Sequence, residues 1–157
     1  MDKKGKKVVI DTNIFIIGFL DFVSGKKSVD ADIIRAMLKR EFILVLSKEL
    51  EEQIARVGKR VKDKDWAGYI RSAIWSSAKI SFVMIPEDVR LMERYKEVPR
   101  KDLLIFLTAL FGNADYLVSN NREFIRKTVN TREFQCLTPG EFVKMMIEKE
   151  SSTSAKR

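Results

Sequence analysis

The chain of 157 residues is long enough for one globular domain, and its 45% hydrophobic and 33% charged residues fit that class. With no histidine and one cysteine it cannot form an internal disulfide or use histidine for acid–base catalysis, and most zinc sites are excluded. The formal net charge of +8 favours an anionic partner such as a phosphate backbone, and only the oxygen ligands that suit magnesium or manganese are plentiful.

One compositional break divides the chain. Residues 151–157 are mostly small and polar, and we expect them to form a disordered C-terminal tail after a single domain of residues 1–150. No apolar run approaches the roughly 18 residues that span a bilayer. The N-terminal residues also lack the apolar stretch and the cleavage site of a signal peptide. We therefore expect a cytoplasmic protein that does not contact membranes.

Short apolar runs alternate with longer amphipathic stretches along the chain. The predicted strands are residues 7–10, 42–46, 80–84, 116–119 and 134–137. The predicted helices are residues 14–22, 32–39 and 102–110, with others starting at Ser47, Asp63 and Thr138. Ser47 can cap its helix, and Thr138 with Glu141 forms a capping-box pattern. The alternation predicts an α/β fold of βαβ units around a parallel sheet.

An acid and two small polar residues follow the first predicted strand. The apolar run Val8 to Ile10 leads into Asp11, Thr12 and Asn13. In open α/β sheets, ligands bind beyond the carboxyl ends of the strands, so Asp11 can hold a divalent cation there. Residues of these types also commonly cap the following helix, which is the alternative explanation. A dehalogenase-type phosphatase is disfavoured, because its pattern needs a second acid where Asn13 stands.

A second acid opens an apolar helix. Residues 102–110 begin with Asp102 after Pro99 and continue almost without polar side chains, which predicts a buried helix. Asp102 lies in the first turn, where the positive end of the helix dipole favours a carboxylate that can point into a cleft. Capping of the helix is again the alternative explanation.

A polar turn follows the fourth predicted strand. It carries Asn120, Asn121 and Glu123, whose oxygens can bind a cation or cap the next helix. In a doubly wound sheet this turn should emerge beside the end of the first strand. The basic residues that follow are predicted phosphate contacts: Arg122, Arg126 and Lys127.

Taken in order, these segments resemble the PIN-domain family. Its members show a strand ending in Asp-Thr-Asn, a helix opened by Ser or Thr that carries an acid, an Asp opening an apolar helix, and a strand leading to Thr-x-Asp. The matching segments are residues 9–13, 46–54, 102–110 and 114–121, and residues 137–142 resemble the end of one PIN subgroup. The resemblance extends over residues 7–148.

The resemblance implies a three-layer α/β/α fold with a central, mostly parallel five-stranded sheet. It also implies a ribonuclease in which Asp11 and Asp102 hold Mg²⁺ or Mn²⁺. The ions would orient the scissile phosphate, lower the pKa of an attacking water and stabilise charge on the leaving oxygen. The substrate would be single-stranded RNA, and the protein would be either a toxin with an antitoxin partner or an RNA-processing factor. A homodimer is also expected from the resemblance.

The helix opened by Ser47 departs from the family pattern. Gln53 stands where the family usually has Glu, and Glu52 is adjacent. A shift of one residue in the start of the helix would let Glu52 serve as a third catalytic acid, although it lies about 100° around the helix from Gln53. We predict Glu52 in that role, beside the two aspartates.

The last motif departs from the pattern as well. Asn121 stands where the family usually has Asp, and an amide oxygen can bind a metal but adds no negative charge. A second hypothesis is therefore a catalytically weak or inactive scaffold that binds RNA or a protein. The residues assigned to the metal are Asp11, Asp102, Asn121 and Glu123, and those assigned to RNA are Thr12, Asn13, Ser119, Arg122, Arg126 and Lys127.

Aromatic residues in the helix that starts at Asp63 allow two interpretations. Trp66, Tyr69 and Trp75 are interleaved with basic residues and can stack nucleobases. Their helical spacing favours core packing for the two tryptophans.

Overall fold

The computed structural model of the protein describes residues 5–99, 102–121 and 134–146. The elements are β1 (Lys7–Ile10), α1 (Thr12–Ser24), α2 (Val29–Leu38), β2 (Ile43–Ser47), α3 (Lys48–Val61), α4 (Lys64–Ser77), β3 (Lys79–Val83), α5 (Val89–Arg94), α6 (Leu103–Phe111), β4 (Tyr116–Val118) and β5 (Gln135–Leu137). Residues 139–146 are helical as well. Within these ranges, no helix has both the length and the apolar character needed to cross a membrane. The predicted C-terminal tail lies outside the described residues.

The strands form a single parallel sheet flanked by helices. Their order is β3-β2-β1-β4-β5 and every pairing is parallel, which confirms the expected three-layer α/β/α fold. β1 is central, with β2 and β3 on one side and β4 and β5 on the other. Ligands in such sheets bind where the strand order reverses, beyond the carboxyl ends of the strands. The crevice past the ends of β1 and β4 is therefore the expected binding position.

The ends of the strands differ slightly from those predicted. β2 is shifted by one residue, because Phe42 is buried against the ring of Phe142 whereas Ser47 pairs with Val83. β3 is shifted by one residue in the other direction, and β4 and β5 are each one residue shorter. Apolar side chains mark the core, but the ends of a strand depend on backbone pairing with its neighbours.

The predicted helix caps are confirmed at two helices. At the start of α3, Ser47 Oγ accepts a hydrogen bond from the backbone N–H of Leu50 (3.1 Å). The backbone N–H of Thr138 donates to Glu141 Oε1 (2.9 Å), and the backbone N–H of Glu141 donates to Thr138 Oγ1 (3.2 Å). The bond from the Thr138 N–H lowers the pKa of Glu141, because it favours the ionised carboxylate.

One helix, α5, was not predicted. None of its residues is buried. It therefore lacks the periodic apolar face by which an amphipathic helix is recognised in a sequence.

Helices α1 and α2 pack closely at Gly18. A methyl group there would lie 2.5 Å from Ile34 Cγ1 and 2.8 Å from the backbone oxygen of Asp30. We expect Gly18→Ala to destabilise the protein by about 1–3 kcal/mol, because overpacking forces the two helices apart. Gly68→Ala in α4 is the matched control, because nothing lies within 4 Å of the added methyl. The control should gain about 0.5–1 kcal/mol from helix propensity. Equal stability of the two variants in chemical denaturation would contradict the close packing.

Candidate active site

Two acids lie at the carboxyl edge of the sheet. Asp11 is between β1 and α1, and Asp102 precedes α6. Both occupy the N-cap position, yet neither side chain makes a capping hydrogen bond. Helix capping therefore does not explain either residue. Both are also buried, with exposures of 8% and 6%, a position that is costly for a carboxylate without compensation.

Hydrogen bonds through two further residues join the acids. Ser119 Oγ donates to Asp11 Oδ2 (2.7 Å) and accepts from the backbone N–H of Asn121 (3.0 Å). The side-chain amide of Asn121 donates to Asp102 Oδ2 (3.1 Å). The fold thus brings the two aspartates, which are distant in the chain, into one site.

The backbone explains this convergence. The N–H of Asp11 donates to the carbonyl of Val118 (2.9 Å), and the N–H of Ser119 donates to that of Leu137 (2.9 Å). Parallel pairing therefore continues to the edge of the sheet where the acids lie. Helices α1 and α6 both begin at this edge, and the positive ends of their dipoles favour anionic groups. The site is therefore suited to carboxylates and to a phosphate.

Two further side-chain oxygens, on the helices that follow β1 and β2, are buried. Thr12 Oγ1 and Gln53 Oε1 have no hydrogen-bond partner in the described part of the chain. Helices α1 and α3 are adjacent, since a methyl at Gly58 would lie 3.7 Å from Ile16 Cδ1. Both helices begin at the carboxyl edge of the sheet, where the two aspartates also lie. Buried oxygens without partners are uncommon, and a bound ion or water is a usual explanation.

The position of Glu52 does not agree with its predicted role. Its side chain is 56% exposed, and its Oε1 lies 4.0 Å from Lys48 Nζ. Neighbouring residues are about 100° apart around a helix, so when Gln53 turns its oxygen inward Glu52 faces solvent. Gln53 rather than Glu52 therefore turns an oxygen into the interior, and the exposed side chain of Glu52 does not support its predicted role beside the two aspartates.

The residues assigned to RNA fall into three groups. Ser119 is fully buried and bonded to Asp11, and Thr12 is only 3% exposed. Asn13 is exposed at the start of α1. The remaining predicted site residues lie outside the described residues: Arg122, Glu123, Arg126 and Lys127.

The donor set is compatible with a hard divalent cation. Asp11 and Asp102 offer anionic oxygens, while Gln53 and Thr12 offer neutral ones. Across residues 5–99, 102–121 and 134–146, no group of three acidic or cysteine side chains forms a metal centre. Mg²⁺ and Mn²⁺ accept carboxylate and carbonyl oxygens, and Mg²⁺ usually keeps several waters, so two carboxylates fit such an ion.

Thr108 was not predicted to contribute to the site. Its Oγ1 lies 2.7 Å from Ser47 Oγ in the interior and also donates to the carbonyl of Leu104 (2.7 Å). The bond to Ser47 ties the start of α3 to α6, and so holds the helix that carries Gln53 against the helix opened by Asp102. Thr108 is the one polar residue in α6, and this could have indicated a buried hydrogen bond.

Comparisons with known proteins agree with this fold. The PIN domain family model matches residues 7–123. A chain in the crystal structure of VapBC2 from Rickettsia felis, bound to a DNA fragment from their promoter, has a similar fold, with a TM-score of 0.53 and 16% sequence identity over 84% of this chain and 98% of that chain. No curated protein matches the sequence. Because the family match covers most of the chain and includes both aspartates, the protein belongs to the PIN domain family.

Proposed function

We propose that the protein is a metal-dependent nuclease that cleaves single-stranded RNA at the site of Asp11 and Asp102. The observation that supports this most is the hydrogen-bonded connection between two buried carboxylates that cap neither helix. Two carboxylates buried in one site repel each other, and a divalent cation held by both would compensate for their burial and their repulsion.

In the proposed reaction, Asp11 and Asp102 would hold Mg²⁺ or Mn²⁺, with Gln53 Oε1 as a neutral ligand. A cation held there would supply the charge that orients the scissile phosphate and activates the attacking water. Ser119 fixes the orientation of the Asp11 carboxylate, and Asn121 fixes that of Asp102. The N-terminal ends of α1 and α6 attract the phosphate.

The charge of the chain supports an RNA substrate. A net charge of +8 strengthens binding to a phosphate backbone. Arg122, Arg126 and Lys127, which follow Asn121 in the sequence, are the proposed phosphate contacts, with Asn13 at the start of α1. A single strand is proposed because it can bring one phosphate into the crevice at the strand ends more easily than a duplex can.

We also propose an antitoxin partner and a homodimer, which would make the chain the toxin of a pair. The fold likeness to a chain of VapBC2 supports the first of these. An RNA-processing factor without an antitoxin would use the same site.

The second candidate is a scaffold that binds RNA without cleaving it. Gln53 contributes no charge, and the amide of Asn121 donates a hydrogen bond to Asp102 instead of adding a carboxylate. Fewer anionic ligands weaken binding of a hard cation. The scaffold predicts salt-dependent RNA binding without turnover.

The two candidates are separated by incubating the pure protein with end-labelled single-stranded RNA in MnCl₂, in MgCl₂ and in EDTA. We expect cleavage with either metal, none with EDTA, and slower cleavage after the RNA is annealed to its complement. Asp102→Asn, prepared in the same way, controls for contaminating nucleases. RNA that is bound but stays intact in Mn²⁺ would reject the nuclease and leave the scaffold.

A further inference from the structure

A cavity of about 350 Å³ lies between α3, α4 and the edge strand β3. It is separate from the residues that connect the two aspartates. Its lining residues are Lys48, Glu51, Glu52, Arg71, Trp75 and Phe82.

Two aromatic rings form the apolar wall of this cavity. Trp75 and Phe82 are each 45% exposed, with ring centroids 5.8 Å apart and planes inclined by 39°. The prediction that both tryptophans pack in the core is confirmed for Trp66, which is buried, but is wrong for Trp75. Half-exposed neighbouring rings leave an apolar surface that a bound ligand can cover.

Glu51 holds the wall in place. Trp75 Nε1 donates to Glu51 Oε2 (3.2 Å), and Arg71 Nε lies 2.8 Å from Glu51 Oε1. The indole N–H is therefore satisfied, and the orientation of the ring is set before any ligand arrives. Such preorganisation lowers the entropy that binding costs.

Two exposed cations flank the rings. The side chains of Lys48 and Arg71 are 73% and 68% exposed. Glu52 and Glu51 lie beside them, so each acid of the cavity is balanced by one cation. The exposed sides of both cations can still contact phosphates. Stacking rings beside cations are the combination by which proteins bind single-stranded nucleic acids.

The cavity lies at the same edge of the sheet as the aspartates. Phe82 pairs in register with Leu46, and Val83 with Ser47, at the carboxyl ends of β3 and β2. Asp11 follows β1, two strands from β3 in the sheet order. At the usual spacing this separation is about 10 Å. One strand of RNA can therefore pass over both places.

We infer that Trp75 and Phe82 form a base-stacking subsite for single-stranded RNA, with Lys48 and Arg71 contacting the adjacent phosphates. The inference rests on the proposed RNA substrate and adds where a nucleotide next to the cleaved bond is held. A duplex is a poor ligand for this subsite, because its bases are already stacked on one another.

The test is the affinity for a short fluorescein-labelled single-stranded RNA of mixed sequence, measured by anisotropy in EDTA so that no cleavage occurs. We expect Trp75→Ala to raise the Kd by about 5- to 100-fold, which is the usual contribution of one stacked base. Affinity for duplex RNA of the same sequence should change little.

Two variants separate stacking from a structural effect. Trp75→Phe keeps an aromatic face, so it should bind within a few-fold of the wild type but lose the quenching of tryptophan emission by RNA, since Trp66 is buried. Tyr69→Ala is the matched control. Tyr69 is also 45% exposed on α4, but it packs against Phe19 and does not line the cavity. Its removal should leave the affinity for RNA unchanged.

The outcomes distinguish the subsite from the nuclease. Trp75→Ala that binds RNA like the wild type overturns the subsite, even if the wild type cleaves RNA. Weaker binding by Trp75→Ala with no cleavage by the wild type supports the subsite and rejects the nuclease. A dimer that Trp75→Ala converts to a monomer in sedimentation, with RNA affinity unchanged, identifies a contact between copies of the chain and also overturns the subsite.

Discussion

Replacing Asp11 with Asn is expected to lower the rate of RNA cleavage in Mn²⁺ by at least about a hundredfold, because even the loss of an outer partner of a metal ligand costs about 10- to 100-fold. Asn has the same shape, and its amide oxygen can still accept the bond that Ser119 Oγ donates to Asp11 Oδ2 at 2.7 Å. The substitution therefore removes an anionic ligand and preserves the connection to Asp102. Single-turnover cleavage of labelled RNA measures the effect.

The same substitution should preserve or strengthen the binding of RNA, although it slows cleavage. In EDTA, Asp11→Asn should bind single-stranded RNA at least as tightly as the wild type, because a negative charge near the phosphates is removed. Asp65→Asn is the matched control for the change in net charge, since Asp65 is exposed in the first turn of α4. That control should cleave RNA normally. If a folded Asp11→Asn variant cleaved RNA at the rate of the wild type, Asp11 would be excluded from the chemistry.

Gln53→Glu is expected to raise the affinity for Mn²⁺ by about tenfold or more, because it replaces the proposed neutral ligand with an anionic oxygen. No hydrogen bond to Gln53 Oε1 is lost, since that buried atom has no partner in the described part of the chain. Without metal, the variant should be less stable than the wild type, because a carboxylate then replaces a neutral buried oxygen with no cation to compensate its charge. Calorimetric titration with Mn²⁺ gives the affinity, and the Tm with and without Mn²⁺ gives the coupling to folding.

Gln53→Leu and Glu52→Gln are the controls for the expected effect of Gln53→Glu on Mn²⁺ affinity. Gln53→Leu removes the buried oxygen without adding charge, so it should stabilise the protein by about 1 kcal/mol and leave the Mn²⁺ affinity no higher than that of the wild type. Glu52→Gln should not change the Mn²⁺ affinity, since Glu52 is exposed beside Lys48. If Glu52→Gln weakened Mn²⁺ binding and Gln53→Glu did not strengthen it, the assignment of the inward-facing residue on α3 would be incorrect.

Most of the sheet was predictable from local pattern. Val8, Val9 and Ile10 form a continuous apolar run, and such a run is typical of a strand that helices cover on both faces. The positions of Asp11 and Asp102 followed from where apolar segments begin and end. By contrast, α5 has no buried residue, so the sequence carries no periodic signal for it.

The order of the elements, the parallel sheet and the two aspartates at its carboxyl edge could be inferred from the amino-acid sequence, because these features depend on hydrophobic periodicity and chain direction. Three features became visible only in the folded chain: Gln53 rather than Glu52 turns inward, Ser119 and Asn121 connect the aspartates, and Trp75 is half-exposed while Trp66 is buried. The reason is that the rotation of a helix about its axis, and the meeting of distant turns, depend on packing against neighbours that are remote in the chain.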